Sequence, residues 1–305
     1  MNSILPPDAD AMGPRLETSY VNPLGIKHLS PSALKIWESD REEWFLRYCT
    51  GAPRMKQTLP MAIGSGFDAT AKRGIWRCLG EPEKGDEVYA AVVAGIDSSL
   101  RDEALRRGDL LWQGYKRDAF ATLLSELQAG ERVVMESDLT IVHEGVRVRG
   151  KPDLFWSSKA GTRNILDWKA TGMCSKQSPR PGFRWDTKTR LPYAGSAKVC
   201  PLGDPDWLMQ VTTYGWMDGV CVGDLIGHIH QLVGPDRVVH FRDVIGLECQ
   251  RGLWDRYKGM WESIGEGRVF TDLGEIADVE RQNQLKERAR VYNEDPMFAF
   301  ISGRG

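Results

Sequence analysis

The sequence predicts a mixed α/β domain, and the order of its segments carries this prediction. Helical patterns fill the chain up to about residue 129, and three β-rich segments follow between residues 131 and 170. A helix, two further strands and another helix come after them. This order is typical of a mixed α/β domain, and 305 residues are enough to bury a sizeable core.

The N-terminal part is predicted to be an extended arm followed by helices. Residues 1–26 are rich in Pro, Gly, Asn and Asp, which favours extended structure. The first helix is expected to begin with Ser30 as its N-cap and Pro31 in its first turn, and to end at Gly51. A second helix is predicted over MAIGSGFDATAKRGIW, and two or more polar helices are predicted over residues 82–129.

The three β-rich segments read ERVVMESDLTIVHEG, VRVRGKPDLFW and RNILDWKA, and the short breaks HEG and SSKAGT join them. Side chains alternate across a strand, so each segment predicts one apolar core face and one face that carries charge. Asp167 and Lys169 share the charged face of the last segment. Asp153 lies on that of the middle segment, and Glu136 on that of the first.

The turn between the last two segments predicts which residues face each other. If SSKAGT is centred near Ala160, antiparallel pairing places Asp153 opposite Asp167. Like charges at that spacing are destabilising, and a divalent cation such as Mg²⁺ would reverse the penalty. A solvated polar sheet face explains the same residues equally well at this point.

The C-terminal half begins with a long loop, residues 171–203, rich in Gly, Pro, Ser and basic residues. A helix is predicted after Asp204 and Pro205, followed by strands at 224–231 and 236–242, a helix to about residue 264 and a polar helical tail. His228 and His230 share one strand face, where partly buried sheet histidines are a better interpretation than half a metal site.

Bulk properties exclude several classes of protein. Six scattered cysteines without a C-x-x-C pair argue against a zinc ribbon, a disulfide scaffold and an iron–sulfur cluster, so we expect reduced thiols in the cytoplasm. No signal-peptide pattern and no membrane-spanning apolar run occur in the sequence. The net charge of −2 does not itself indicate nucleic-acid binding.

Four short motifs occur between about residues 28 and 220, and the order in which they occur is informative. They are S-x-S-x-L at Ser30, Ser32 and Leu34, G-x-x-D from Gly150 to Asp153, D-W-K from Asp167 to Lys169, and Q-x-x-x-Y at Gln210 and Tyr214. With the aromatic residues Trp44, Phe45 and Tyr48 of the first helix, this order resembles the RecB-like exonuclease branch of the PD-(D/E)XK nuclease superfamily.

The resemblance implies a restriction-endonuclease-like core, in which helices flank a mixed central sheet, together with an N-terminal helical region. We therefore expect an extended arm at 1–26, a helical region contributing to the active-site cleft at 27–130, the nuclease core at 131–265 and a helical tail at 266–305.

The resemblance also implies roles for individual residues. Asp153 and Asp167 would hold one or two Mg²⁺ or Mn²⁺ ions, with the backbone carbonyl of Trp168 as a further ligand. Lys169 would position the attacking water, and Gln210 and Tyr214 would line the site and contact DNA. Glu136 is a further candidate ligand, although a solvated sheet face explains it about as well.

One position departs from the pattern of that branch. Where the branch usually has His, four residues after a Gly, this chain has Gly64 followed by Asp68. A carboxylate can ligate Mg²⁺ or Mn²⁺, so Asp68 is a candidate ligand. Alternatively, Asp68 is an ordinary polar helix residue and the metal lacks one ligand.

The loop at 171–203 is a candidate DNA-binding segment. Basic residues suit phosphates and aromatic rings suit base stacking, which is what a single-strand channel needs; a solvated loop is the alternative. The candidate contacts are Lys176, Arg180, Arg184, Trp185, Lys188 and Arg190.

These observations predict a metal-dependent DNA exonuclease of recombination, repair or replication, of the small stand-alone type found in phages, acting in the host cytoplasm. Its partner would be DNA, as linear ends or single strands. A separate annealing protein or helicase would assist it, because the chain has no P-loop motif. The alternatives are a structure-specific endonuclease, a nuclease of the CRISPR-adaptation type, and a DNA-end binding protein with a decayed site.

Overall fold

The computed structural model describes residues 23–51, 56–136, 138–170, 202–234, 237–270 and 275–294. The helices are α1 (Pro31–Ser39), α2 (Arg41–Cys49), α3 (Leu59–Cys78), α4 (Pro82–Ala94), α5 (Arg101–Asp118), α6 (Phe120–Ala129), α7 (Pro205–Tyr214), α8 (Leu247–Gly265) and α9 (Glu275–Glu294). The strands are β1 (Gly130–Val134), β2 (Leu139–His143), β3 (Val146–Gly150), β4 (Leu154–Ser158), β5 (Arg163–Ala170), β6 (Leu225–Leu232) and β7 (Val238–Ile245).

The main sheet has five strands in the order β1-β4-β5-β6-β7, and β2 pairs with β3 in a separate two-stranded sheet. Strands β5 and β6 are parallel, whereas the other neighbours in the main sheet are antiparallel. A parallel pair needs a crossover connection, and the chain between β5 and β6 includes α7. This mixed sheet with flanking helices confirms the predicted α/β class.

Helices cover both faces of the main sheet. Ile165, Leu225 and Ile229 contribute to one apolar cluster that also includes side chains of α1, α2, α7 and α8. Leu166 and Trp168 contribute to a second cluster, with side chains of α3, α5 and α6. Strand β5 is thus buried on both faces, so the prediction of a single core face is wrong for this strand.

Two of the predicted strands are each divided in the structure. ERVVMESDLTIVHEG forms β1 and β2, which belong to different sheets, and Glu136 lies between them with a positive φ of 55°. VRVRGKPDLFW divides into β3 and β4 around Pro152, a residue with no N–H to donate to a strand ladder. The expectation that the three β-rich segments form three continuous strands is therefore wrong.

The first predicted helix is likewise two helices. Asp40 separates α1 from α2 with an extended backbone, and its carboxylate accepts a hydrogen bond of 2.9 Å from the N–H of Glu43. This is an N-cap, which starts a new helix. Most of the predicted arm and of the basic loop lie outside the described residues. No helix among the described residues is long and apolar enough to cross a membrane.

Candidate active site

The antiparallel pair β4–β5 brings the two predicted aspartates together. Leu154 faces Leu166, and this register continues to place Asp153 level with Asp167, as the turn length predicts. The backbone N–H of Trp168 donates a 3.0 Å hydrogen bond to Asp153 Oδ2. Asp167 is only 2% exposed, so a solvated sheet face does not explain it.

Helix α3 adds two charged side chains to this site. Asp68 and Lys72 are four residues apart and therefore lie on one face of the helix. Lys72 Nζ lies 2.6 Å from Asp68 Oδ2 and 3.2 Å from Asp153 Oδ1. It also contacts Glu136 Oε1. The ammonium group of Lys72 thus joins three carboxylates from three separate parts of the chain.

Glu136 completes a compact carboxylate cluster with Asp68 and Asp153. One carboxylate oxygen from each of the three residues lies within 4.8 Å of the others. The side chain of Glu136 is 13% exposed and also pairs with Lys151. The interpretation of Glu136 as part of a solvated sheet face is therefore wrong.

The other side of the site is formed by β5 and α7. Lys169 pairs with Asp167, and its Nζ donates a 2.7 Å hydrogen bond to Gln210 Oε1. Gln210 Nε2 in turn donates to the Tyr214 hydroxyl at 3.1 Å. The ring of Tyr214 is also part of the apolar core, so this residue connects the site to the protein interior.

A cleft of about 310 Å³ opens beside Lys169. Its lining includes the hydroxyl groups of Ser32 and of Ser30, the N-cap of α1, and the basic side chains Lys35 and Arg149, together with Asp206, which pairs with Lys35. Gln210 and Tyr214 line it as well. Hydroxyl and cationic groups are the usual ligands of phosphate oxygens, so the cleft can accept a phosphodiester next to the predicted catalytic lysine.

Burial changes the acidity of two carboxyl groups of the site, those of Asp167 and Asp68. It raises the pKa of Asp167 to about 7, against the opposing effect of the Lys169 charge. It raises the pKa of Asp68 to about 8, although the charge of Lys72 acts in the other direction. Ionised carboxylates are costly in this environment, and an additional cation would stabilise them.

The oxygen atoms of the site fit a hard divalent cation. Among the described residues, Asp68 Oδ1 is buried without a hydrogen-bond partner, and Asp167 Oδ2 is buried with Lys169 as its ion-pair partner. Buried polar atoms normally have partners, and carboxylate oxygens are the ligands that Mg²⁺ and Mn²⁺ favour. Both residues have a carboxylate close to Asp153: Asp68 shares the compact carboxylate cluster with it, and Asp167 lies level with it across the β4–β5 pair.

Sequence reasoning did not identify Lys72 as part of the site, and it assigned no role to Lys151. The spacing of four residues between Asp68 and Lys72 was visible, but it did not show that the lysine would be buried. The predicted DNA contacts at Lys176, Arg180, Arg184, Trp185, Lys188 and Arg190 lie outside the described residues.

The strand histidines lie away from this cluster. His230 Nδ1 is 2.6 Å from the Tyr115 hydroxyl, and His228 Nε2 is 3.2 Å from Asn164 Oδ1. Burial lowers the pKa of both rings, to about 3 for His228. They are neutral, buried sheet residues.

Comparison with known proteins assigns the family. The sequence model of the PD-(D/E)XK nuclease superfamily matches residues 28–215. The chain belongs to the PD-(D/E)XK nuclease superfamily, which confirms the resemblance found in the sequence and the restriction-endonuclease-like core. No curated protein matches the chain.

Two solved structures are similar at low sequence identity. One is a candidate exonuclease from Eubacterium rectale, with a TM-score of 0.45, 14% identity, and coverage of 89% of this chain and 94% of that chain. The other is the protein SSO0001, with a TM-score of 0.27, 12% identity, and coverage of 74% and 85%.

Proposed function

We propose that the protein is a Mg²⁺- or Mn²⁺-dependent deoxyribonuclease that degrades DNA from linear ends. The observation that carries this proposal is the contact of Lys169 with both Asp167 and Gln210, beside Asp153. These residues come from three of the superfamily motifs, and two of them, Lys169 and Gln210, line the cleft of about 310 Å³. The exonuclease assignment is supported by the order of the motifs, which resembles the RecB-like branch.

The carboxylates Asp153 and Asp167 would hold the metal, with the Trp168 carbonyl and Asp68 Oδ1 as further ligands. When bound, a divalent ion activates water and neutralises charge on the phosphate. Asp153 is held in place for this task by the hydrogen bond from the Trp168 N–H. Burial of Asp167 excludes water that would otherwise compete for its oxygens.

Lys169 would orient the attacking water and stabilise the negative charge that develops on the phosphate oxygens. Its ammonium group is fixed from two sides, by Asp167 and by Gln210 Oε1. Tyr214 holds Gln210 through its hydroxyl group. We propose that Gln210 and Tyr214 also form the wall against which the DNA backbone lies.

In the cell, we place this activity in DNA recombination, repair or replication, as a phage-encoded enzyme in the host cytoplasm. The support for this is the resemblance to the RecB-like branch and the lack of a P-loop motif in the sequence. A helicase or annealing protein would therefore be a separate partner.

The test uses linear and circular DNA, single- and double-stranded, with Mg²⁺ or Mn²⁺. We expect degradation of linear DNA only, and we expect Asp167→Asn to lower the rate by at least about 100-fold, as loss of one electrostatic catalytic group does. The control is Asp109→Asn, an exposed aspartate on α5 whose carboxylate accepts a hydrogen bond from Gln113. It should keep wild-type activity.

Other results would favour a different function for the protein. Nicking of circular DNA would indicate a structure-specific endonuclease. Binding of DNA ends without hydrolysis under either metal would indicate a decayed site, and full activity of Asp167→Asn would refute the site assignment.

A further inference from the structure

Lys72 is an ammonium group enclosed at the centre of the carboxylate cluster. Its side chain is 0% exposed, and Nζ contacts Asp68 Oδ2, Glu136 Oε1 and Asp153 Oδ1. An ammonium group has three donors, and here each one meets a different carboxylate. Lys72 therefore occupies a place where a cation has a complete set of oxygen partners.

The charge of this lysine is fully paired in spite of its burial. The side chain is 0% exposed, and its ammonium group forms ion pairs with Asp68, Glu136 and Asp153. A buried charge is tolerated when it is fully paired, and removal of one partner leaves an uncompensated charge. The ammonium group and the three carboxylates are therefore mutually dependent.

The charges of the site limit how many metal ions it can take. Four carboxyl groups (Asp68, Glu136, Asp153 and Asp167) face three ammonium groups (Lys72, Lys151 and Lys169). When all are ionised, one negative charge is in excess, and a single divalent ion more than offsets it. A second divalent ion would add two positive charges within a few ångströms of Lys72, where repulsion is strong.

We infer that Lys72 is a resident cation of the active site: its ammonium group fills the position among Asp68, Glu136 and Asp153 that a second divalent ion would need, so that each chain binds one divalent ion, held by Asp153, Asp167 and the Oδ1 atom of Asp68. The inference rests on the proposed metal-dependent function. Lys72 acts through the carboxylates that it holds, and is thus a positioning residue.

The experiment counts bound Mn²⁺ ions without DNA, by calorimetric titration and by electron paramagnetic resonance. Wild-type protein should bind one Mn²⁺ per chain. In Lys72→Met the unbranched side chain keeps much of its length but loses its charge, so the three vacated carboxylates should bind a second Mn²⁺. The matched control is Lys151→Met. Lys151 also pairs with Glu136, but its side chain is half exposed and Lys72 remains in place, so one Mn²⁺ is expected.

The wild-type protein alone also tests the inference if Lys72→Met does not fold. Two Mn²⁺ ions at the roughly 3.5–4 Å spacing of two-metal sites would give a spin-coupled spectrum, whereas one ion gives an uncoupled spectrum, which we expect. Two ions in wild-type protein, or one ion in folded Lys72→Met, would overturn the inference and leave the proposed function standing. Wild-type protein that binds no Mn²⁺ or Mg²⁺ would overturn both.

Discussion

Gly150, the first residue of the G-x-x-D motif, lies against the ring of Tyr214. A Cβ atom at Gly150 would come 2.5 Å from Tyr214 Cε1, so Gly150→Ala must displace the ring. Because Tyr214 holds Gln210 and Gln210 holds Lys169, the displacement should reach Lys169, the proposed catalytic lysine. We expect a loss of about 1–3 kcal/mol in the free energy of unfolding, as overpacking typically causes, together with a lower kcat on linear DNA. Urea unfolding and a nuclease assay measure the two effects.

Gly252→Ala is the control for this substitution. Gly252 lies in α8, and no atom of the described part of the chain lies within 4 Å of the position of its Cβ. Alanine should therefore stabilise the helix, by about 0.4–1 kcal/mol, and leave activity unchanged. If Gly150→Ala unfolded at the same urea concentration as wild type, the packing of Tyr214 would not be the reason for glycine in this motif.

Individual residues of the site differ in how well the sequence predicted them. The pairing of Asp153 with Asp167 depends on a short turn, so a local count of residues is enough. The burial of Lys72 depends on Glu136 and Asp153, which are 64 and 81 positions away in the chain. No local pattern around Lys72 shows that distant residues bury it, so the sequence does not place this lysine in the site.

At the scale of elements, the position of α3 depends on a backbone contact with α5. A Cβ at Gly108 would lie 2.4 Å from the backbone of Gly66 and Phe67, and a Cβ at Gly66 would lie 2.4 Å from the carbonyl of Ala104. Both glycines therefore allow the two helices to touch. Since α3 carries Asp68 and Lys72, this contact also positions one side of the active site.

Gly108→Ala should push α3 away from α5. We expect a loss of about 3 kcal/mol or more in the free energy of unfolding, because backbone atoms cannot move aside as a side chain can, and a weaker affinity for Mn²⁺ in calorimetric titration. Gly259→Ala, in an open part of α8, should raise the free energy of unfolding by about 0.4–1 kcal/mol and leave the Mn²⁺ affinity unchanged. Wild-type stability of Gly108→Ala would show that the helices tolerate a wider separation.

The type of most elements could be predicted from sequence, whereas the breaks within them could not. Pro152 interrupts what reads as one strand, and Asp40 interrupts what reads as one helix. In both cases the periodic pattern of apolar residues continues across the break, so the pattern alone does not show where the element is interrupted. The two halves of each segment then pack in different places: β3 pairs with β2, and β4 with β1 and β5.

At the scale of the whole molecule, the site lies where two apolar clusters meet at β5. Asp167 and Lys169 alternate with Leu166 and Trp168, so this strand joins the helices on both faces of the sheet. The parallel pairing of β5 with β6 follows from a long crossover, and sequence patterns do not fix such long-range order. Burial on both faces gives Asp167 its raised pKa, which links metal binding to the stability of the entire fold.

The two carboxyl groups with raised pKa values determine how the stability of the metal-free protein changes with pH. Asp68, at about 8, and Asp167, at about 7, both exceed the ordinary value of 3.8. Between about pH 4 and pH 7–8 the metal-free folded protein therefore retains protons that the unfolded chain has released. The contribution of these groups to stability is complete below pH 4 and is lost as the pH rises through that window. A divalent ion, which binds the ionised carboxylates, would offset this loss.

The stabilisation of the protein by Mn²⁺ should therefore increase with pH. At a concentration about 100-fold above Kd, measured at pH 8, the ion should raise Tm at that pH by about 4 °C. At pH 5.5 the same concentration should raise Tm much less, because Asp68 and Asp167 are protonated and protons compete with the metal. Thermal unfolding with Mn²⁺ and with a chelator, at both pH values, measures the difference.

Asp167→Asn should reduce the Mn²⁺-induced rise in Tm at pH 8, whereas Asp109→Asn should preserve it. An equal Mn²⁺-induced shift at pH 5.5 and pH 8 in the wild-type protein would mean that these two carboxyl groups do not bind the ion.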